Sequence, residues 1–238
     1  MSTSVILLAY KEAENLEVLL PKILSQFAEM QTACEILVID SAKPLDHTQD
    51  VCVRYGARYI PQEEPFYAGA FRTGIAYATG DKILVLDADG SHNPDSIPAI
   101  HAKFAEGYDM VIGSRYVSGG KTNDSFSSFL MSKLLNTTMR ICIGVRAKDI
   151  STSYRLYDAK QLKAVKLVRT NYDVLQEVIL KLKINKKPFR IGEVPIVFEK
   201  RLYGESKRQL LKFICGYVAS VFMLLGIRIS HFFTGKKA

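Results

Sequence analysis

Short apolar runs and amphipathic stretches take turns along the first half of this 238-residue chain. Strand-like runs fall at about 3–9, 35–40, 57–60, 82–87 and 109–113. Helical patterns lie between them at about 13–28, 46–55, 67–79 and 94–106. Runs such as Val5-Ile6-Leu7-Leu8 and Ile83-Leu84-Val85-Leu86 read as strands buried on both faces. Strands alternating with helices predict right-handed βαβ units and a parallel sheet covered on both sides. The fold class is therefore α/β, with a mostly parallel central sheet flanked by helices. A hydrophobic content of 48% with only 8 prolines supports one sizeable core.

Residues 82–92 carry the chemistry. The apolar run ends abruptly in Asp87 and Asp89, with Ala88 between them, followed by Gly90-Ser91-His92. Open α/β sheets bind ligands just beyond the carboxyl ends of their strands. Two carboxylates there repel each other unless something positive sits between them. A hard divalent cation does this and carries substrate phosphates on its remaining positions. A structural alternative exists, because Asn93-Pro94-Asp95 looks like a helix start and Asp89 or Ser91 could cap it. Position favours the site. Glu12 and Asn15 follow the first run and Asp40 ends the second, so three acidic clusters converge on one sheet edge. The expectation is a metal–diphosphate site with a nucleotide-linked ligand.

Net charge is +8, yet acidic residues outnumber basic ones in the first hundred positions. The positive excess lies later, from Lys181 to Lys212 and again at Arg228, Lys236 and Lys237. That asymmetry suits a metal–nucleotide pocket beside an anion-binding face. No base-stacking pattern or nucleic-acid motif accompanies it, so nucleic acid is not an expected partner. The four cysteines form no C-x-x-C pair, which reads as ordinary thiols in a reducing compartment. His47, His92 and His101 show no metal-ligand spacing and read as surface or cap residues. The start lacks the pattern of a signal peptide, so the catalytic part is expected in the cytosol.

Beyond residue 115 a helix is expected at about 127–144, with Ser132, Asn136 and Arg140 on one side. A short helix at 173–184 contains Glu177, and 189–198 reads as a strand whose Pro195 favours an edge. Phe213 to Ile227 is a 15-residue stretch without charge between Lys212 and Arg228. It is short for a bilayer span, and its basic flanks suit a helix lying on a membrane. The division expected is a catalytic domain at 1–208 and a membrane-associated helix with a basic tail at 209–238.

The motifs taken in order resemble the inverting family-2 glycosyltransferases of the GT-A fold, and within them the dolichol-phosphate mannose synthases and their polyprenyl-phosphate relatives. The resemblance rests on Ala-Tyr-Lys-Glu-Ala-Glu-Asn-Leu at 9–16, the Asp-Ala-Asp region, Gly113-Ser114-Arg115, the Ser132/Asn136/Arg140 helix, Asp149 to Arg155, Gln176-Glu177, Glu193-Val194-Pro195, and Arg201 with Gly204-Glu205-Ser206-Lys207. There are departures. Ser41 stands where a second Asp is common, residues 41–47 look inserted, Ser91 replaces a Gln ligand, and Ser153 replaces a Gly.

The resemblance implies transfer of a hexose, most simply mannose from GDP-mannose, to dolichyl or polyprenyl phosphate, with Mg²⁺ or Mn²⁺. It implies Asp87, Asp89 and Ser91 as metal ligands, and Asp89, Arg115 and Arg140 as catalytic. It implies substrate contacts from Tyr10, Glu12, Asp40, Asp87, Ser132, Glu177, Arg201 and Lys207. The expected partners are a nucleotide-diphosphate sugar, the lipid phosphate and a membrane surface on its cytoplasmic side. A membrane-anchoring subunit or a homo-oligomer stays open. A family-2 enzyme using UDP-glucose or another donor, with a different acceptor, is the first alternative. A non-catalytic nucleotide-binding protein at a membrane is the second.

Overall fold

The computed structural model describes residues 1–123, 126–200, 203, 220–229 and 233. The N-terminal half follows the expected alternation closely. It runs β1 (Thr3–Leu8), α1 (Ala13–Glu29), β2 (Cys34–Asp40), α2 (Thr48–Arg54), β3 (Arg58–Pro61), α3 (Phe66–Tyr77), β4 (Lys82–Asp87), α4 (Ile97–Ala105) and β5 (Met110–Ser114). A 3₁₀ turn, Pro94–Ser96, leads into α4. Then come β6 (Lys121–Thr122), α5 (Phe126–Ile143), β7 (Arg155–Asp158), α6 (Ala159–Lys163), α7 (Val174–Asn185), β8 (Ile191–Pro195) and β9 (Val197–Phe198).

Seven strands form the central sheet in the order β3-β2-β1-β4-β7-β5-β8. All of its pairings are parallel except the two made by β7, which runs antiparallel between β4 and β5. Sequence reading missed β7, a four-residue strand with a charge at each end that gives little periodic signal. The segment read as one strand at 189–198 divides. β8 takes the sheet edge beside β5, as Pro195 suggested, and β9 pairs with β6 in a separate ribbon. The chain winds outward from β1 through β2 to β3, then returns to place β4 on the other side of β1. The crevice between the carboxyl ends of β1 and β4 is thus the topological switch point, where such sheets take their ligands.

Each face of the sheet carries its own core. Ile6, Leu37, Ile39, Ile83 and Val85 pack under α3, α5, α6 and α7. Val5, Leu7, Val38, Leu84 and Leu86 pack under α1, α2 and α4. Side chains alternate along a strand, so Asp87, in step with Ile83 and Val85, leaves on the α3/α7 side. Asp40, in step with Val38, leaves on the α1/α2 side.

Most of the tail expected to associate with a membrane lies outside the described residues. Within 220–229 the chain is helical, and Leu224 is buried in the α3/α7 core. Arg228 is exposed, yet its guanidinium turns back onto α5. It donates to the carbonyls of Ile141 and Cys142 at 3.0 and 2.8 Å, satisfying acceptors that the end of α5 leaves without intrahelical partners. Among the described residues no helix is long and apolar enough to cross a membrane.

Candidate active site

The cation loop is built from the backbone outward. β4 ends at Asp87, and the turn that follows needs Gly90 at φ 79°, a left-handed conformation that glycine adopts without a Cβ penalty. Ser91 then folds back, donating its N–H (3.0 Å) and Oγ–H (2.5 Å) to Asp89 Oδ1. Ser91 was expected as a third metal ligand, but its hydroxyl proton is directed at Asp89 and fixes that carboxylate. Capping does not explain the acidic pair, because Asn93 caps the 3₁₀ turn by accepting from Asp95 N–H at 3.0 Å.

His92 closes the loop from below, and the surface or cap role expected for it is wrong. It is fully buried. Its Nδ1 accepts the Asp87 N–H at 3.0 Å, which leaves the proton on Nε2, 3.3 Å from Thr152 Oγ1. Its ring stacks on Tyr154 at 5.1 Å, and burial pushes its pKa down. The Asp-Ala-Asp loop is thereby tied to the segment that enters β7. His101 is also buried, against Phe27, while His47 is exposed at the N-terminus of α2.

The nucleoside side of the crevice lies at the ends of β1 and β2. Glu12 and Asn15 are buried, with Asn15 Nδ2 donating to Glu12 Oε2 at 2.5 Å. Asn15 Oδ1 accepts the Tyr203 N–H at 3.1 Å, bringing the chain near 203 over the start of α1. Tyr10 is half exposed at the mouth, and Lys11 beside it has φ 60°. Asp40 is buried. Its Oδ2 accepts from Tyr59 Oη at 3.3 Å, and its Oδ1 has no hydrogen-bond partner among the described residues. Burial raises the Asp40 carboxyl, an effect that hydrogen bonds from Ser41 and Tyr59 partly offset. Asp46, not singled out in the sequence, links the inserted loop to two helix starts by accepting from Ala13 N–H and Thr48 N–H.

The residues present fit a divalent cation. Asp87 and Asp89 are hard oxygen donors at the switch point, and the Asp87 carboxylate has no hydrogen bond or ion pair among the described residues. No group of three or more His, Cys, Asp or Glu gathers among those residues. A two-carboxylate site of this kind suits a cation that completes its shell with phosphate and water.

The expected acceptor residues are placed differently. Arg115 was read as a phosphate-binding arginine. It is instead bidentate to Asp149 through Nε (2.7 Å) and Nη2 (2.9 Å), with Ser151 Oγ a further acceptor at 2.8 Å. The pair is almost wholly buried, and the Asp149 carboxyl is lowered because these bonds outweigh its desolvation. Ser132 accepts from Tyr116 Oη at 2.8 Å, and Asn136 spans Ser151 Oγ and Ile150 N–H. Arg140, one turn beyond Asn136 along α5, reaches the Arg146 carbonyl at 3.2 Å. That helix face therefore holds the 146–151 loop.

Glu177 is neither solvated nor turned to a substrate. It is fully buried, accepts the N–H groups of Val168 and Arg169 at 3.0–3.1 Å, and pairs with Lys181 at 3.0 Å. Arg201 and Lys207 lie outside the described residues.

Comparison with known proteins agrees with this geometry. The family described as Glycosyl transferase family 2 matches residues 4–165, and the chain belongs to that family. A dolichol-phosphate mannosyltransferase of Pyrococcus furiosus is 33% identical over 233 residues, covering 94% of this chain and 64% of that protein. The chain thus spans somewhat less than two thirds of that relative's length. An undecaprenyl-phosphate mannosyltransferase of Micrococcus luteus is 32% identical over 228 residues, covering 87% of each. Among solved structures, glucosyl-3-phosphoglycerate synthase of Mycobacterium tuberculosis, in complex with Mn²⁺, UDP and glucosyl-3-phosphoglycerate, superposes with a TM-score of 0.70 at 18% identity. It covers 94% of this chain and 80% of that one, and it establishes the shared GT-A fold. A second crystal of that synthase holds Mg²⁺ and UDP.

Proposed function

We propose that this glycosyltransferase moves a hexosyl unit, mannose from GDP-mannose in the simplest case, from a nucleotide-diphosphate sugar to dolichyl or polyprenyl phosphate. The observation that carries the reading is the crevice itself: Asp87 and Asp89 stand at the β4 side of the switch point, with Asp40 at the neighbouring end of β2, in a chain whose relatives carry mannosyl transfer to lipid phosphates in their names.

The Asp40 Oδ1 acceptor is suited to an N–H of the base, and Glu12 and Tyr10 line the ribose side. Asp87 and Asp89 would hold Mg²⁺ or Mn²⁺ on the diphosphate. Such an ion neutralises the charge that develops on a departing nucleoside diphosphate. Ser91 keeps Asp89 aimed, and His92 holds Asp87 through its backbone. The acceptor phosphate is already an anion at neutral pH, so no strong general base is required. Its attack opposite the leaving group inverts the anomeric centre. Arg201 and Lys207 are the side chains we assign to the acceptor phosphate, the Arg201 guanidinium as a fork suited to its oxygens and the Lys207 ammonium as a point charge.

The protein is proposed to work on the cytoplasmic face of a membrane. Phe222, Ile229 and Phe233 are exposed, Ile229 next to Arg228, which suits peripheral contact with lipid. A membrane-anchoring subunit or a second copy of the chain would strengthen that contact.

The test is incubation of the purified protein with radiolabelled GDP-mannose or UDP-glucose, Mn²⁺ and polyprenyl phosphate, followed by organic extraction. Label in the organic phase that depends on both lipid phosphate and metal is expected. Transfer to a soluble sugar with none to lipid phosphate would overturn the assignment.

A further inference from the structure

Three polar atoms meet beside Asp87 with nothing to bond. Tyr67 Oη, Ser153 Oγ and Arg155 Nε are buried and have no hydrogen-bond partner among the described residues. Ser153 is 3% exposed and Arg155 is 0% exposed.

Their meeting follows from strand register. β4 and β7 run antiparallel with Val85 opposite Arg155. Continuing that register by two residues sets Asp87 across from Ser153, and directly opposed residues share a face. That face is the one α3 covers, and α3 supplies Tyr67. The Tyr67 hydroxyl feels both the Asp87 carboxylate and the Arg155 guanidinium. It faces Ser153 without closing a full hydrogen bond.

The cluster is firmly held. The remaining Arg155 nitrogens donate to Leu175 and Ile150 carbonyls at 2.7 Å, which aims Nε. The Tyr67 ring lies 4.3 Å from that of Tyr172, and the Ala68 N–H donates to Thr170 O at 3.2 Å. Phe66, immediately before, has φ 67°, a backbone state rare for such a residue and common at sites under functional constraint.

Buried polar groups in folded proteins are nearly always paired. Three unpaired ones side by side, next to a carboxylate that is itself without a partner, form a set matched to one small group that both donates and accepts. A sugar hydroxyl is such a group. It can donate to Asp87 or Tyr67 while accepting from Ser153 or the Arg155 N–H. We propose that Tyr67 and Ser153, backed by Arg155, receive a hydroxyl of the transferred hexose and so set which sugar epimer the enzyme accepts. The inference rests on the hexosyl-transfer reading above. A site that hydrogen-bonds a substrate hydroxyl discriminates strongly, because the wrong epimer leaves its buried groups unpaired.

The experiment compares kcat/KM for GDP-mannose and GDP-glucose in the full-length wild type, Tyr67→Phe, Ser153→Ala and Ser153→Gly, with polyprenyl phosphate and Mn²⁺. If UDP donors are the ones used, UDP-glucose and UDP-galactose serve instead. Binding of the nucleoside diphosphate with Mn²⁺ is measured calorimetrically in parallel. We expect the ratio between epimers to fall by about tenfold or more in Tyr67→Phe and Ser153→Ala, as is usual when a hydrogen-bonded discriminator is lost. Nucleoside diphosphate affinity should stay within about twofold. Ser153→Gly, which removes the hydroxyl with the least added bulk, should repeat the effect. An unchanged ratio in variants that still transfer sugar overturns this inference alone and marks the recess as a water site. A wild type that transfers no hexose overturns the functional reading as well.

Discussion

The two halves of the sheet use their polar residues in opposite ways. Around β1, β2 and β4, carboxylates at the strand ends keep oxygens turned to the crevice: Asp87 takes no bond among the described residues, and Asp40 keeps Oδ1 unpaired. Around β5, α5 and α7, several of the polar residues that looked functional are consumed by their neighbours, although Arg140 keeps a buried Nε without a partner among the described residues. Arg115 is held by Asp149, Glu177 by Val168, Arg169 and Lys181, and Asn136 by Ile150 and Ser151. A strand end at a switch point faces the crevice, so a carboxylate there remains usable by a ligand, although burial raises that of Asp40. A charge on a helix that packs under the sheet must be neutralised locally or the fold pays heavily for it.

That contrast can be broken, and the largest effect should come from the second half. Glu177→Ala leaves the N–H groups of Val168 and Arg169 without their acceptor and Lys181 without its counter-charge, its Nζ keeping the Lys166 carbonyl at 2.6 Å. Removing one partner of a buried pair typically costs about 3–5 kcal/mol. Urea unfolding should show a loss of that size. A variant that stays stable but loses its lipid acceptor would move Glu177 into the site.

Asp89→Asn should behave in the reverse manner. Transfer should fall by about 10²–10³-fold, the usual effect of deleting one preorganised electrostatic group, while the melting temperature holds. Unfolding of this variant would make the acidic pair structural.

His92→Asn sharpens the boundary, since His92 belongs to the first half by sequence and touches the second through Thr152. Groups that orient metal ligands are typically worth 10–100-fold in affinity. We expect Mn²⁺ affinity to weaken by about tenfold at the low end of that range, with nucleoside binding in the absence of metal unaltered. Equal Mn²⁺ affinity in the two proteins would remove the positioning role.

The smallest effect concerns Glu35, at the start of β2. Burial alone would raise its carboxyl, but hydrogen bonds from Ser4, Thr79 and Arg58 together bring it down to about 2. A depressed carboxyl contributes stability above its unfolded value, and that contribution is lost as pH falls toward the folded one. The stability difference between wild type and Glu35→Gln should therefore be full at neutral pH and shrink between about pH 4.5 and pH 2. A difference independent of pH across that window would count against this network.

The first half was legible because β1, β2, β4 and β5 are aliphatic runs with helical patterns between them, and even the short β3 is set off by that alternation. Its acidic residues could be placed at the rim from run ends alone. β7 was not legible, since Arg155–Asp158 is short and polar at both ends. Nor was the partner of Arg115, because the Arg115–Asp149 contact is made by chain return over 34 residues rather than by local pattern, whereas the Glu177–Lys181 pair at i,i+4 was open to a local reading. The recess beside Asp87 was within reach. Ser153 was noted as a departure, and the two-residue period of strands would have set it opposite Asp87 once β7 was recognised as a strand.

Asp40 and Asp87 project from the sheet in contrary directions, a matter of odd and even places along two strands. Any molecule that touches both must straddle the crest as a saddle sits on a ridge. The fragment retained and the fragment handed on would then rest on separate slopes, each beneath its own set of helices. Selection for one could drift over generations while the grip on the other stayed as it was.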